Sequence, residues 1–127
     1  MKIAIGCDEA AYHLKVAIMK HLDTKDNIEY TDFGADEGEV ILYPDVAQKV
    51  AAAVAAGDFD RGILVCGTGI GMCITANKVP GIRAAVCHDP YSAERSRKMQ
   101  QRADPVYGRA GHRRRGSQIS GGYLAEL

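Results

Sequence analysis

The 127-residue sequence predicts an α/β fold, a parallel sheet with helices on both faces, from two observations. Strand-like and helix-like patterns alternate over residues 1–98, with connections long enough for right-handed crossovers. The run Gly62–Cys66 (GILVC) is apolar without alternation, as in a strand covered on both faces. In such sheets ligands bind beyond the carboxyl ends of the strands, where Asp8, Cys66 and His88 all fall.

The elements come in this order. Lys2–Cys7 is a short apolar and β-branched strand ending at Asp8. Ala10–Leu22 places Leu14, Val16, Ala17, Ile18 and Leu22 at helical spacing with charges opposite. Ile28–Phe33 is a second strand, closed by Gly34. Tyr43-Pro44-Asp45 opens a helix, since proline suits a first turn, and the alanine-rich Val46–Ala56 stops at Gly57. Gly62–Cys66 is followed by a glycine loop, a short helix to about Lys78, the strand Ile82–Cys87, and a helix from Pro90 to about Lys98. There is no internal repeat and no low-complexity segment.

Composition bounds the function. The chain supports one domain, residues 1–127, with 46% hydrophobic residues and a formal charge of zero. That balance disfavours a general nucleic-acid or membrane-surface binder. Every apolar run is broken by charge or glycine before it could span a bilayer. The sequence opens on a strand pattern without a basic leader, so a cytoplasmic protein is expected. The charge is uneven, however: residues 1–98 carry −3 and residues 99–127 carry +3.

The strongest chemical feature is Cys66-Gly67-Thr68-Gly69-Ile70-Gly71, between a buried strand and a helix. Glycines let several N–H groups point into one concavity, a nest for a phosphate or a developing oxyanion. The spacing is neither the dinucleotide fingerprint nor a P-loop, which disfavours a nucleotide-binding flavodoxin-like module. A thiol entering such a helix N-terminus acts as base or nucleophile, although a small buried core cysteine is the plainer reading. No two cysteines stand at C-x-x-C spacing and no histidines at ligand spacing, so no metal site, cofactor or disulfide framework is expected. Cys7, Cys73 and Cys87 read as structural. Asp8 and Glu9 fit either hydrogen bonding to substrate hydroxyls or helix capping, and the two are compatible. His88-Asp89 carries the same ambiguity. Arg95, Arg97 and Lys98 form a helical cluster able to meet a phosphate, though a solvated face is the commoner explanation. Tyr43 either enters the cleft or packs.

Together these residues resemble the ribose-5-phosphate isomerase B and galactose-6-phosphate isomerase family. The resemblance rests on I-A-I-G-C-D-E-A-A-Y-x-L-K at the start, D-F-G at 32–34, Y-P-D at 43–45, G-I-L-V-C-G-T-G-I-G-M at 62–72, A-N-K-V-P-G-I-R-A-A at 76–85 and Y-S-A-x-x-S-R at 91–97. It implies a three-layer α/β/α sandwich of the Rossmann/flavodoxin-like kind, with a parallel five-stranded sheet. It also implies a metal-free cytosolic aldose–ketose isomerase of a phosphorylated sugar, acting through a cis-enediolate. Cys66 corresponds to the base and Thr68 to the hydroxyl that shuttles the proton on oxygen. Gly67, Gly69, Ile70 and Gly71 supply the nest, and Asp8 and Tyr43 line the sugar site. Asn77 belongs to the family's loop-and-helix motif, so it and His88 join the expected binding set. A homodimer or homotetramer with shared active sites is implied.

The sequence departs from the family in two places. Glu9 stands where ribose-type members commonly carry a histidine near the phosphate. Beyond Arg97-Lys98 the expected Asn-Asn-Ala, fifth strand, long final helix and phosphate-binding basic motif are absent. Codons allowed for Met99–Ser117, read one nucleotide later, permit Cys-Asn-Asn for Met-Gln-Gln and Gly-Arg-Val-Ile for Arg-Ala-Gly-His. The expectation is therefore a compensated frame change over roughly residues 99–121 and a shortened end, with Gly122–Leu127 read as helix again. Taken as printed, the segment holds Pro105 and little apolar pattern, and Arg109, Arg113, Arg114 and Arg115 read as a basic solvated tail.

Met99 cannot do the ring-opening work of the ribose-type histidine. With Glu9, this points towards a tetrose/tetrulose 4-phosphate or a galactose-type substrate rather than ribose 5-phosphate. The rival readings are a galactose-6-phosphate isomerase-type subunit and a catalytically impaired sugar-phosphate-binding subunit.

Overall fold

The computed structural model describes residues 1–103 and 123–126. The elements are β1 (Lys2–Cys7), a 3-10 turn (Glu9–Ala11), α1 (Tyr12–Asp23), β2 (Glu29–Asp32), α2 (Tyr43–Ala55), β3 (Arg61–Cys66), α3 (Ile70–Asn77), β4 (Ala85–Cys87), α4 (Pro90–Ala103) and β5 (Tyr123–Glu126). One sheet of order β2-β1-β3-β5-β4 carries them. β1 pairs in parallel with β2 (Ile3↔Tyr30) and with β3 (Ile5↔Ile63, Cys7↔Val65).

Three layers arise from the period-2 geometry of strands buried on both faces. Ile3, Ile5, Cys7, Ile63 and Val65 point to the α1 side, where Ala11 and Leu22 meet them. Ala4, Leu64 and Cys66 point the other way, against Val46, Ala47, Val50 and Ala51 of α2 and Met72 and Ala76 of α3. The alanine stripe on α2 lets that helix lie close to the sheet. Closest approach is at Gly6, where a Cβ would stand 2.7 Å from Val46 Cγ2 and 3.1 Å from Val50 Cγ2. Val46 and Val50 are fully buried. Each contributes about 1.5–3 kcal/mol by leaving water, which fixes α2 more firmly than its own helix propensity does.

The three-layer α/β arrangement is as expected, but the sheet is not wholly parallel. β5 runs antiparallel between β3 and β4 (Val65↔Leu124, Val86↔Ala125). The segment Gly122–Leu127, read as helix, thus supplies a strand. Six residues are too few to nucleate a helix alone, whereas the open edge of β3 offers a ladder for their backbone groups. Residues 104–121 carry Pro105, four glycines and an arginine run, so Tyr123-Leu124-Ala125 is the first later stretch with strand composition. The frame-changed reading beyond residue 103, Pro105 and Arg109 to Arg115 lie outside the described residues.

Smaller differences have local causes. Ile82 N–H closes a turn onto Val79 O at 3.1 Å, so β4 begins only at Ala85. Asp8 caps the 3-10 turn, which delays the regular helix to Tyr12. α2 starts at Tyr43 with Pro44 and Asp45 in its first turn, and α4 continues past Lys98 to Ala103. No helix among the described residues is long and apolar enough to cross a membrane.

The Gly6 contact yields a direct expectation. Gly6→Ala overpacks the α2–sheet seam and lowers unfolding stability by about 1–3 kcal/mol, read as a lower urea midpoint at unchanged slope.

Candidate active site

β1, β3 and β4 all end at one edge of the sheet, and the site is built from the residues immediately after β1 and β3. Cys66 closes β3 with 5% of its surface exposed. The chain then turns through Gly67 and Thr68 into α3, with Gly69 in the left-handed region at φ 76°. That conformation costs a side-chain-bearing residue energy and suits glycine. It swings the Gly69 N–H back onto Cys66 Sγ, at 2.9 Å. Thr68 Oγ1 accepts the Ile70 N–H at 3.2 Å, which leaves the hydroxyl proton for an outside acceptor. By helix geometry the N–H groups of Gly71 and Met72 have no acceptor within α3. A sulfur and a set of convergent backbone donors therefore share one concavity, with open space around Gly67.

Asp8 comes next to this nest through the β1–β3 register. Its N–H donates to Val65 O at 3.2 Å, so it stands beside Cys66 on the neighbouring strand. Its Oδ1 accepts the Ala11 N–H at 3.0 Å, and no other hydrogen-bond partner is found among the described residues. Capping and an available carboxylate oxygen thus coexist in one side chain. Glu9 is exposed in the same turn.

Tyr43 reaches the nest from α2. A Cβ on Gly71 would lie 2.7 Å from Tyr43 Cε2 and 3.1 Å from its hydroxyl oxygen. The phenol ring therefore lies directly on the first turn of α3, while 44% of the residue remains exposed. Cys66, Gly67, Thr68, Gly69, Ile70, Gly71, Asp8 and Tyr43 form one group, with Glu9 at its margin.

The chain matches the sequence model described as Ribose/Galactose Isomerase over residues 3–103. It belongs to that family. It is 64% identical over 98 residues to ribose-5-P isomerase B of Listeria innocua, covering 77% of this chain and 66% of that protein. It is 57% identical over 99 residues to D-erythrulose-4-phosphate isomerase of Pectobacterium atrosepticum, covering 77% and 64%. Among solved structures, ribose-5-phosphate isomerase B of Clostridium thermocellum superposes with a TM-score of 0.75 at 50% identity, covering 80% of this chain and 68% of that one. The chain thus spans slightly less than two thirds of the length of the two relatives matched by sequence.

Two residues of the expected binding set stand apart in this family member. Asn77 ends α3, about 10 Å along the axis from Ile70. Its amide is spent on the backbone: Nδ2 donates to Ala84 O at 2.9 Å and Cys73 O at 3.0 Å, and Oδ1 accepts the Ala84 N–H at 2.8 Å. It shapes the approach to β4 and is not brought to the nest. His88 is exposed after β4, on the same edge but with β5 between its strand and β3. Asp89 caps α4, accepting Ser92 N–H on Oδ1 at 2.7 Å and Ser92 Oγ–H on Oδ2 at 2.8 Å.

Cys7 is fully buried, and its burial pushes the thiol above the ordinary value, with the Lys15 ammonium offsetting part of that. Cys73 is likewise raised by burial. Both fit their structural readings. Among the described residues no group of three or more His, Cys, Asp or Glu side chains is placed to share a metal ion.

The opening motif ends on Lys15 and attaches no role to it; the side chain is fully buried behind the end of β1. Its spacing from Ala11 and Leu22 puts it on the core stripe of α1, and that periodicity was the available signal.

The two Ser92 bonds hold the Asp89 carboxyl below its ordinary 3.8. A depressed carboxyl stabilises the fold above its unfolded value and loses that contribution as pH falls through the folded value. Asp89→Ala therefore lowers the thermal midpoint at pH 7, and the gap to wild type closes as pH is taken from 5 towards 2.

Proposed function

We propose that this protein is an aldose–ketose isomerase of a phosphorylated sugar. The observation that carries the reading is Cys66 Sγ facing a glycine nest whose Gly69 N–H donates to it. Proton transfer next to a carbonyl needs a base and a pocket for the enediolate oxygen, and no further reagent. Cys66 takes the proton from the carbon beside the carbonyl and returns it to the neighbouring carbon. The electron pair passes through a cis-enediolate, stabilised by the backbone N–H groups left open in the first turn of α3, those of Gly71 and Met72. The Thr68 hydroxyl moves the proton between the two oxygens. Asp8 and Tyr43 bind sugar hydroxyls.

The substrate class is set by the margin of the site. Glu9 repels a phosphate at the end of β1, so the phosphate lies away from it. Ribose 5-phosphate and a tetrulose 4-phosphate are the two candidates, in line with the names of the Listeria and Pectobacterium relatives. The second reading is a subunit that binds a sugar phosphate without turnover. The protein works in the cytoplasm, where the Cys66 thiol stays reduced.

We also propose a homodimer formed over the α3 face. Leu42 (69% exposed), Ile70 (53%) and Ile74 (54%) leave apolar surface beside the nest, and Ile70 and Ile74 share one side of the helix. Sedimentation at micromolar concentration is expected to give a dimer, and Ile74→Lys a monomer.

The activity test is a panel of four-, five- and six-carbon sugar phosphates in deuterated water. Wild type incorporates solvent deuterium at the carbon beside the carbonyl. Cys66→Ala loses at least about 100-fold of that exchange while retaining its fold. Undiminished exchange in Cys66→Ala removes the base assignment, and binding without exchange in wild type leaves the subunit reading.

A further inference from the structure

Lys15 is the single charged or polar side chain among the described residues that is wholly withdrawn from solvent. Its ammonium is surrounded by oxygens. It donates to Asp32 Oδ1 at 2.9 Å, to Asp32 Oδ2 at 3.0 Å and to Ala35 O at 2.5 Å, and it lies 5.2 Å from the centre of the Tyr12 ring. Removing a lysine from water is costly, and a buried ion pair does not generally stabilise more than an apolar replacement. What three directed donors supply, and a leucine does not, is a fixed position for the groups they hold.

Those groups lead to the site. Asp32 Oδ1 also accepts the Gly34 N–H at 2.9 Å. Gly34 and Ala35 grip β1 on both sides of one position: Cys7 N–H donates to Gly34 O at 2.6 Å, and Ala35 N–H donates to Cys7 O at 3.0 Å. Asp8 is the following residue. On its other flank it is tied to β3 by the bond from its N–H to Val65 O. One ammonium group thus stands behind Asp8, on elements distinct from the β3–α3 turn that carries Cys66.

We propose that Lys15 is a positioning residue of this site: through the Asp32–Ala35 segment it sets the placement of Asp8, and so governs substrate binding and not proton transfer. The proposal rests on the isomerase reading for its kinetic consequence, and on geometry alone for the placement of Asp8. Lys15→Met keeps the length of the side chain and removes the charge. The carboxylate it abandons is one-third exposed, so water can reach it.

The experiment compares wild type, Lys15→Met and Asp32→Asn as full chains, by steady-state kinetics on ribose 5-phosphate and erythrulose 4-phosphate and by site-resolved amide hydrogen exchange. Lys15→Met is expected to raise KM at least about tenfold with kcat within about threefold, since only binding groups are displaced. The amides of Cys7, Asp8 and Ala35 exchange at least about tenfold faster, while those of Leu64 and Val65 keep their protection. Asp32→Asn, the variant to use if Lys15→Met does not fold, moves KM and the same three amides in the same direction by at least about threefold. A fall in kcat at constant KM, unchanged kinetics, or exchange that rises evenly over β1 and β3 overturns the proposal. If wild type isomerises neither substrate, the isomerase reading fails by itself. The exchange pattern then decides whether Lys15 holds Asp8, and unchanged exchange at Cys7, Asp8 and Ala35 overturns it.

Discussion

The parallel pairing of β1 with β3 is the constraint on which the rest depends. Cys7 stands opposite Val65, so the two strands run out within one residue of each other. Their continuations, Asp8 and the Cys66 turn, emerge side by side at a spacing of about 5 Å. A slip of one residue would turn Cys66 from the α2–α3 side to the α1 side and separate it from its nest. Both faces of β1 and β3 are buried, and this holds the register: Ile3, Ile5, Ile63 and Val65 fill one layer, Ala4 and Leu64 the other. The core and the site are consequences of the same pairing.

Around that edge, polar groups serve two purposes each. Asp8 caps the turn that starts α1 and presents a carboxylate. Thr68 satisfies an N–H at the start of α3 and keeps a hydroxyl proton to give. Gly69 closes the strand–helix turn and points its own N–H at sulfur. A small domain has few polar groups it can bury without loss, and sharing roles between architecture and chemistry keeps the number low. Lys15 obeys the same economy, neutralising Asp32 while fixing the backbone beside Cys7.

Much of this was legible in the sequence, and the misses have physical causes. β1 was bounded to the residue, because a glycine-containing apolar run ending in Asp-Glu is both a strand and a cap. The nest was visible because only a turn between buried strand and helix needs so many glycines. Tyr43 was ambiguous, since its partner is Gly71, a residue without a side chain to pattern. Asn77 was assigned to the sugar through its motif, yet a short polar side chain at a helix end most readily satisfies nearby backbone, here that of Ala84. Gly122–Leu127 reads locally as helix, yet it supplies β5: the strand fills a gap created by the sheet, a long-range demand no local pattern carries. Lys15 closes the opening motif without a role, since a lysine on an apolar stripe ordinarily snorkels outward, and only the position of Asp32 shows why it does not.

The contact between Tyr43 and Gly71 binds two distant positions into one variable. The ring occupies the volume that any side chain at 71 would need. A methyl group gained at 71 must be matched by a smaller or redirected residue at 43. The wall beside the sulfur is on loan from another helix, so its shape can change through this pair while Cys66 and the Gly69 N–H keep their places.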